Sequence, residues 1–168
     1  MLLRPAEPED ALAVARVHVR SWQVAYRTLL PDDYLDQLRP EDRACKYDFK
    51  NPDPAKPYTF VAEDGGSIRG FATAMLSRDG ELVGFGELCA LYVDPEFWGR
   101  GIGVALVAAA RERLVKLGVR NAFLWVLKGN VRADRFYRND GWAPDGCSRT
   151  DTMWGVTVDD NRYRRGLE

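Results

Sequence analysis

The feature that constrains the fold of this chain most is a run of alternating glycines, Gly99, Gly101 and Gly103. The run follows an apolar stretch that ends at Asp94-Pro95, and it precedes a second apolar stretch that contains no proline. Glycine has no β-carbon, so the backbone can adopt left-handed conformations and approach a ligand closely. Consecutive N–H groups at the start of a helix attract an anion. The pattern therefore predicts a strand, a glycine loop and a helix that together could hold a phosphate-like group.

Two well-known phosphate-binding loops do not fit this spacing. A dinucleotide-binding turn needs G-x-G-x-x-G, but Val104 stands where the third glycine would fall, and the next predicted strand ends at Lys128 instead of an acidic residue. A P-loop needs glycine and lysine followed by serine or threonine, which the segment lacks. The glycines alone leave two alternatives open, an anion site of another kind and a tight turn with no chemical role.

Hydrophobic periodicity and turn residues predict the remaining elements. Strands are predicted at 2–4, 58–62, 68–76, 84–94 and 122–127, with two more between 142 and 167. Helices are predicted from Glu7 to Pro31, over 32–49 with a break at Pro40, at 101–117 and at 131–139. Antiparallel strands followed by a β-α-β-α succession indicate an α/β protein in the broad sense, with an α+β mixed sheet. We expect helices on both faces of this sheet.

Composition excludes several classes of protein. The 168 residues carry 24 Lys and Arg against 25 Asp and Glu, for a net charge of −1, whereas a nucleic-acid binder needs a cationic excess. Three separated cysteines and one histidine suggest neither a disulfide framework nor a metal site. No uncharged stretch is long enough to span a membrane, and no secretory leader is recognisable. We therefore expect a cytoplasmic protein that binds no nucleic acid, membrane or metal.

A second motif follows the glycine loop, N-V-R-A-D-R-F-Y-R-N-D-G-W from Asn130 to Trp142. The two motifs together resemble those of the GCN5-related N-acetyltransferase (GNAT) superfamily, [QR]-x-x-G-x-[GA] and then N-x-x-A-x-x-F-Y-x-x-x-G-[FW]. The second match is nearly complete. The first departs at Trp98, where the family often has glutamine or arginine. Because the anion-binding groups of the loop are backbone amides, this departure removes only one side-chain contact.

The resemblance implies a specific fold and co-substrate. The fold is that of the acyl-CoA N-acyltransferases, a mixed and mostly antiparallel sheet that splays between its fourth and fifth strands. The co-substrate is acetyl-CoA, whose pantetheine arm would lie between the strands at 86–93 and 122–127. Leu91 and Val93 would offer it backbone groups, with the Leu91 N–H as the candidate oxyanion donor. The diphosphate would lie against Trp98, Gly99, Arg100, Gly101, Ile102, Gly103 and Val104, with Arg100, Arg132 and Arg135 as possible phosphate contacts or as solvated helix residues.

Three further residues are candidates for the chemistry that the resemblance implies. Tyr137 matches the family tyrosine that donates a hydrogen bond or a proton to the departing thiolate, although it could also belong to an apolar helix face. Asn130 could contact the pantetheine, cap the helix that starts at Val131, or do both. Glu87 is the candidate general base, with a water chain as the alternative. Strict strand alternation would place Glu87 on the same face as Leu91 and Val93.

The whole chain, residues 1–168, is predicted to be a single N-acetyltransferase domain, in which the proline-rich segment 51–57 is a loop and not a linker. The predicted reaction is direct transfer of the acetyl group to an unidentified primary amine. Trp22, Tyr26 and Trp154 are the candidates that line the amine site. A non-catalytic acetyl-CoA sensor is the alternative function. The oligomeric state is left open, a homodimer included.

Overall fold

The computed structural model describes residues 1–50, 53 and 55–167. Asn51, Pro52 and Pro54 of the predicted loop, and the terminal Glu168, lie outside the described residues. The described part of the chain contains seven strands, and each predicted strand is present. They are β1 (Leu2–Pro5), β2 (Tyr58–Asp64), β3 (Ser67–Leu76), β4 (Gly86–Val93), β5 (Asn121–Leu127), β6 (Ala143–Met153) and β7 (Val156–Gly166).

The helices agree with the sequence pattern except in the region between residues 26 and 49. They are α1 (Ala11–Ala25), α2 (Asp32–Asp36), α3 (Pro40–Ala44), α4 (Ile102–Lys116) and α5 (Val131–Asn139). Two predictions were wrong here. The first helix ends at Ala25, several residues before Pro31. The second helical region ends at Ala44 and not at residue 49, whereas its predicted interruption at Pro40 is present, with Pro40 at the first position of α3, where no N–H is needed.

The strands form one mixed sheet in the order β1-β2-β3-β4-β5-β7-β6. Every neighbouring pair is antiparallel except β4 and β5, which are parallel. These two strands pair only at Gly86↔Ala122 and Glu87↔Phe123, after which they separate. The predicted splay between the fourth and fifth strands is therefore confirmed, and it opens the sheet toward the C-terminal ends of both strands.

Helices cover both faces of the sheet, as predicted. On one face, α4 packs Leu106 and Leu114 against Ala72 of β3 and Leu124 of β5. On the other face, α1 packs against β2 and β3, where Phe71 is almost fully buried. Successive residues of β3 point to opposite faces, so one strand contributes to both layers.

A β-bulge in β4 changes which side chains share a face. Thr73 of β3 pairs with Ala90 and Ala74 pairs with Leu88, so Cys89 is the extra residue. Leu88, Leu91 and Val93 consequently all pack on the α4 face, whereas Ala90 and Tyr92 pack on the α1 face. Glu87 precedes Leu88 without an intervening bulge and therefore points toward the α1 face. The expectation that Glu87 shares a face with Leu91 and Val93 was wrong, because the bulge reverses the alternation.

Gly86, the first residue of β4, packs closely against Leu114 of α4. A β-carbon at this position would be 2.6 Å from Leu114 Cδ2, and Leu114 is only 1% exposed. We expect Gly86→Ala to lower the free energy of unfolding by about 1–3 kcal/mol, the usual cost of overpacking a core. Urea denaturation measures this change.

Gly80→Ala is the matched control, because a β-carbon at Gly80 would meet no atom within 4 Å. An unfolding free energy of Gly86→Ala equal to that of the Gly80→Ala variant would show that α4 can move away from β4 without cost.

Candidate active site

A cleft of about 750 Å³ opens where β4 and β5 separate. One wall is the part of β4 from Leu88 to Val93, and the opposite wall is the end of β5 from Trp125 to Leu127. The glycine loop and the first turns of α5 form its mouth. A splayed parallel pair thus produces a deep groove with polar backbone at its edges, which suits an extended ligand that carries amides.

The exposed edge of β4 presents backbone groups to this cleft. The Asp94 N–H donates to the Arg69 carbonyl of β3, so the N–H and C=O of Val93 and Leu91 point away from β3 and into the cleft. The Val93 carbonyl already accepts two hydrogen bonds, one from Trp98 Nε1 at 2.9 Å and one from Ser21 Oγ at 3.1 Å. The peptide groups of Leu91 and the N–H of Val93 are left facing the cleft.

A different physical constraint explains why glycine is present at each of these positions of the loop. Gly99 and Gly101 have φ of 75° and 81°, a left-handed conformation that residues with a β-carbon rarely adopt. Gly103 is helical, and a β-carbon there would be 3.2 Å from the Phe136 ring of α5. Gly101 is the N-terminal cap of α4, and Ala105 donates the first intrahelical bond to its carbonyl. The N–H groups of residues 102–104 therefore lack helical acceptors, as an anion site requires.

Tyr137 of α5 lines the cleft together with the adjacent Phe136. Its ring packs against Phe136 and Trp142, with centroid distances of 5.3 and 6.3 Å. Burial raises the pKa of Tyr137 above its usual value, and the neighbouring Tyr92 and Asp140 raise it further. The phenol is therefore protonated at neutral pH and can donate a hydrogen bond into the cleft.

Asn130 begins α5 and also lines the cleft. Its side-chain oxygen accepts a hydrogen bond of 3.1 Å from the Ala133 N–H, so the predicted helix cap is confirmed. This bond fixes the first turn of α5, from which Arg132 projects, and Tyr137 follows in the second turn.

Glu87 lies beside the cleft and is not part of its lining. Burial raises the pKa of Glu87, the guanidinium groups of Arg78 and Arg149 oppose this rise, and the carboxylate of Asp79 adds to it. Arg149 stacks on Trp125, 4.3 Å from the ring centroid, and Trp125 reaches the cleft. Glu87 thus occupies the α1 face at the level where the two strands begin to separate.

Asp160 is a buried carboxylate on the same face as Glu87, and it was not among the predicted site residues. It is 4% exposed and accepts a 3.1 Å hydrogen bond from Arg149 Nε. Burial raises its pKa, which Arg149 counteracts. The sequence offered little indication that Asp160 is buried, since it stands in an acidic stretch of an otherwise polar strand.

The predicted acceptor residues come together as an aromatic cluster between α1 and the β6–β7 turn. Trp22 stacks on Trp154 with 4.3 Å between centroids and contacts Tyr26 edge-on at 5.1 Å. Trp154 has a φ of 50° in the tight turn, and its carbonyl accepts a hydrogen bond from Tyr34. Only Tyr26 of the three lines the cleft, because Trp22 is 1% exposed and lies beneath Trp154.

The structure brings most of the predicted co-substrate residues into one lining. These are Leu91, Val93, Trp98, Gly99, Gly101, Gly103, Val104, Asn130 and Tyr137. Two predicted residues lie outside it. Ile102 is buried in the core beneath the loop, and Arg100 stacks on Phe97 at 4.6 Å. The backbone N–H of Ile102 still belongs to the first turn of α4.

Among residues 1–50, 53 and 55–167, no group of three or more His, Cys, Asp or Glu side chains is placed to hold a metal ion. Among the same residues, no helix has the length and apolar character needed to cross a membrane.

The glycine loop, the splayed strands and the α5 motif together define an acyltransferase-like site. Residues 17–142 match the model of the acetyltransferase (GNAT) family, and the chain belongs to this family. The prediction that it is an acetyltransferase enzyme is thereby confirmed.

Two relatives and one solved structure illustrate the similarity. The uncharacterised N-acetyltransferase YuaI of Bacillus subtilis is 35% identical over 76% of this chain and 72% of its own length. An uncharacterised N-acetyltransferase of Archaeoglobus fulgidus is 40% identical over 82% of this chain and 89% of its own length. The PaiA N-acetyltransferase of Thermoplasma acidophilum, solved in complex with coenzyme A, superposes with a TM-score of 0.78 at 19% identity and 98% coverage of each chain.

Proposed function

We propose that this chain transfers the acetyl group of acetyl-CoA directly to a primary amine, with both substrates bound at once. The observation that carries the proposal is the arrangement of the cleft. The peptide groups of Leu91 face it from the β4 wall, and Tyr137 of α5 is also part of its lining. A thioester held between these two groups would have a donor for its carbonyl oxygen and another for its sulfur.

Each group has a defined part in the proposed reaction. The amine nitrogen attacks the acetyl carbon, and the negative charge that develops on the carbonyl oxygen is stabilised by the Leu91 N–H. The carbon–sulfur bond then breaks, and the nitrogen loses its second proton, which ends on the departing thiolate. Tyr137 donates a hydrogen bond to this thiolate, or gives it its own proton and is restored by the proton from nitrogen. Because a phenol has a higher pKa than a thiol by about 1.5 units in water, a hydrogen bond requires less from the site than full transfer.

Glu87 is proposed as the base that accepts the proton of the ammonium form of the amine. An alkylammonium with a pKa of about 10.4 must lose its proton before it can attack, which is uphill by roughly 4.6 kcal/mol at pH 7. Since Glu87 lies next to the cleft and not in its lining, a bridging water is the expected route for this proton. The raised pKa makes the carboxylate a better base than an exposed glutamate.

The amine is proposed to enter from the α1 face, over Tyr26 and Trp125. Both side chains line the cleft on that side. Trp22 and Trp154 are proposed to support Tyr26, and direct contact of these two with the acceptor stays a prediction.

We further propose that residues 1–168 form one acetyltransferase domain that works in the cytoplasm. The three free cysteines, Cys45, Cys89 and Cys147, support a reducing compartment.

Acetyl transfer is tested by incubating the purified chain with acetyl-CoA and a panel of amines and following the release of free thiol. The panel should contain polyamines, amino acids, aminoglycosides and peptides with free N-termini or lysines. We expect amine-dependent thiol release with at least one class. Tight binding of acetyl-CoA without turnover on any class would favour a sensor of acetyl-CoA instead.

A further inference from the structure

Trp98 occupies the position at which this chain departs from the family motif, and its side chain makes two contacts. The indole Nε1 donates to the Val93 carbonyl at 2.9 Å, which fixes the ring against the edge of β4. The face of the ring carries the guanidinium of Arg132, whose central carbon is 3.7 Å from the ring centroid. Trp98 follows β4 and Arg132 follows β5, so this pair joins the two sides of the cleft at its mouth.

Arg132 is a cation with no counter-charge in the described part of the chain. It takes part in none of the ion pairs found there, and partial burial lowers its pKa. It projects from the first turn of α5, where the helix dipole also disfavours a cation. A positive charge held in this way at the mouth of a cleft favours an anionic ligand.

The stacked arrangement leaves Arg132 able to bind such a ligand without moving. An aromatic ring contacts the flat face of a guanidinium, whereas the N–H donors lie in the plane and point outward from its edge. These in-plane donors match the oxygen atoms of a phosphate. Arg100 differs because it stacks on Phe97 outside the cleft lining. Arg135 also lines the cleft, but it lies one turn further along α5 and, among the described residues, stacks on no aromatic ring.

We propose that Arg132 binds the phosphates of coenzyme A and that Trp98 positions it, in place of the contact that a glutamine or arginine at position 98 would make. The inference rests on the proposed function in that coenzyme A is the ligand. Arg132 is here a binding residue, and Trp98 is a positioning residue that acts through it.

The first test compares binding of coenzyme A with binding of pantetheine, which has the same arm and no phosphate. Calorimetry on Arg132→Met should show a coenzyme A affinity lower by on the order of 10-fold, because a charge-assisted hydrogen bond is lost. Pantetheine affinity should be unchanged. Arg138→Met is the matched control on the same helix, because Arg138 pairs with Asp134 and lies outside the cleft lining.

The second test separates the two contacts of Trp98. Trp98→Phe keeps an aromatic face for Arg132 but loses the donor to Val93, whereas Trp98→Ala loses both. We expect the phenylalanine variant to keep most of the coenzyme A affinity and the alanine variant to resemble Arg132→Met. The double variant Trp98→Ala with Arg132→Met should be no weaker than either single one.

The outcomes distinguish this inference from the proposed function. Absence of coenzyme A binding by the unaltered chain would overturn both. Normal binding by Arg132→Met, or a loss seen with Arg135→Met in its place, would overturn the role of Arg132 and leave the proposed function intact. An equal loss of coenzyme A and pantetheine affinity in Trp98→Ala would mean that Trp98 acts through Val93 and not through Arg132.

Discussion

Tyr137→Phe is expected to lower kcat for acetyl transfer by on the order of 10²-fold while the Kd for acetyl-CoA changes little. Tyr137 is half-buried in the cleft lining, and burial raises the pKa of its phenol, so it is present in the protonated form that can donate to a leaving thiolate. Phenylalanine keeps the ring contacts with Phe136 and Trp142 and removes only the donor. Steady-state kinetics together with equilibrium binding of acetyl-CoA would measure the two effects separately.

A matched control for this variant is Tyr58→Phe. Tyr58 lies on β2, outside the cleft lining, where its ring contacts the guanidinium of Arg113. It should retain full activity. A kcat for Tyr137→Phe equal to that of Tyr58→Phe would remove Tyr137 from the mechanism and leave it as a packing residue of α5.

Glu87→Gln is the change with the next largest expected effect, a fall in kcat/KM at pH 7 on the order of 10²-fold. In the unaltered enzyme, activity should fall as the pH drops through the pKa of Glu87, because a protonated carboxyl cannot accept a proton. Since burial raises this pKa, the acid limb should lie at a higher pH than for an exposed glutamate. The glutamine variant should lack that limb and gain activity toward alkaline pH, where more of the amine is free.

Stability provides an independent check on the Glu87 variant. A carboxyl whose pKa is raised in the folded state destabilises the fold when it ionises. The loss of folding free energy reaches its full value once the pH is above the folded-state pKa. Glu87→Gln should therefore be no less stable than the unaltered chain at pH 7, which thermal unfolding would show. Glu112→Gln on the exposed face of α4 is the control for loss of a charge. An unchanged pH–rate profile for Glu87→Gln would assign the proton to a water chain alone.

The helices and strands of this fold could be predicted from the sequence because nearby residues determine where they begin and end. Gly101 adopts the left-handed conformation that caps α4, and Asn130 caps α5 with its own side chain. The end of α3 was misjudged, because apolar residues continue beyond Ala44 without forming a helix. Tyr47 and Phe49 follow the end of α3 and pack against the core on the α1 face.

The candidate site could be predicted only in part from the sequence. The features that were not predicted depend on contacts between segments that are distant in the chain. The bulge at Cys89 arises from the register of β4 against β3, and it moves Glu87 to the face opposite Leu91. Asp160 lies near the candidate site because the pairing of β7 with β6 places it beside Arg149. Neither pairing leaves a periodic signal in the sequence of β4 or β7.

The sequence by itself determined the order of the elements, the glycine loop and the family, since short motifs of glycine and asparagine impose local backbone conformations. Only the tertiary structure decided which side chains face the cleft. It pairs β4 with β5 for two residues and then separates them, which exposes the Leu91 peptide. It also places Arg132 on the ring of Trp98. Strand register and the packing of α5 are set by burial over the whole sheet, a quantity that no single segment encodes.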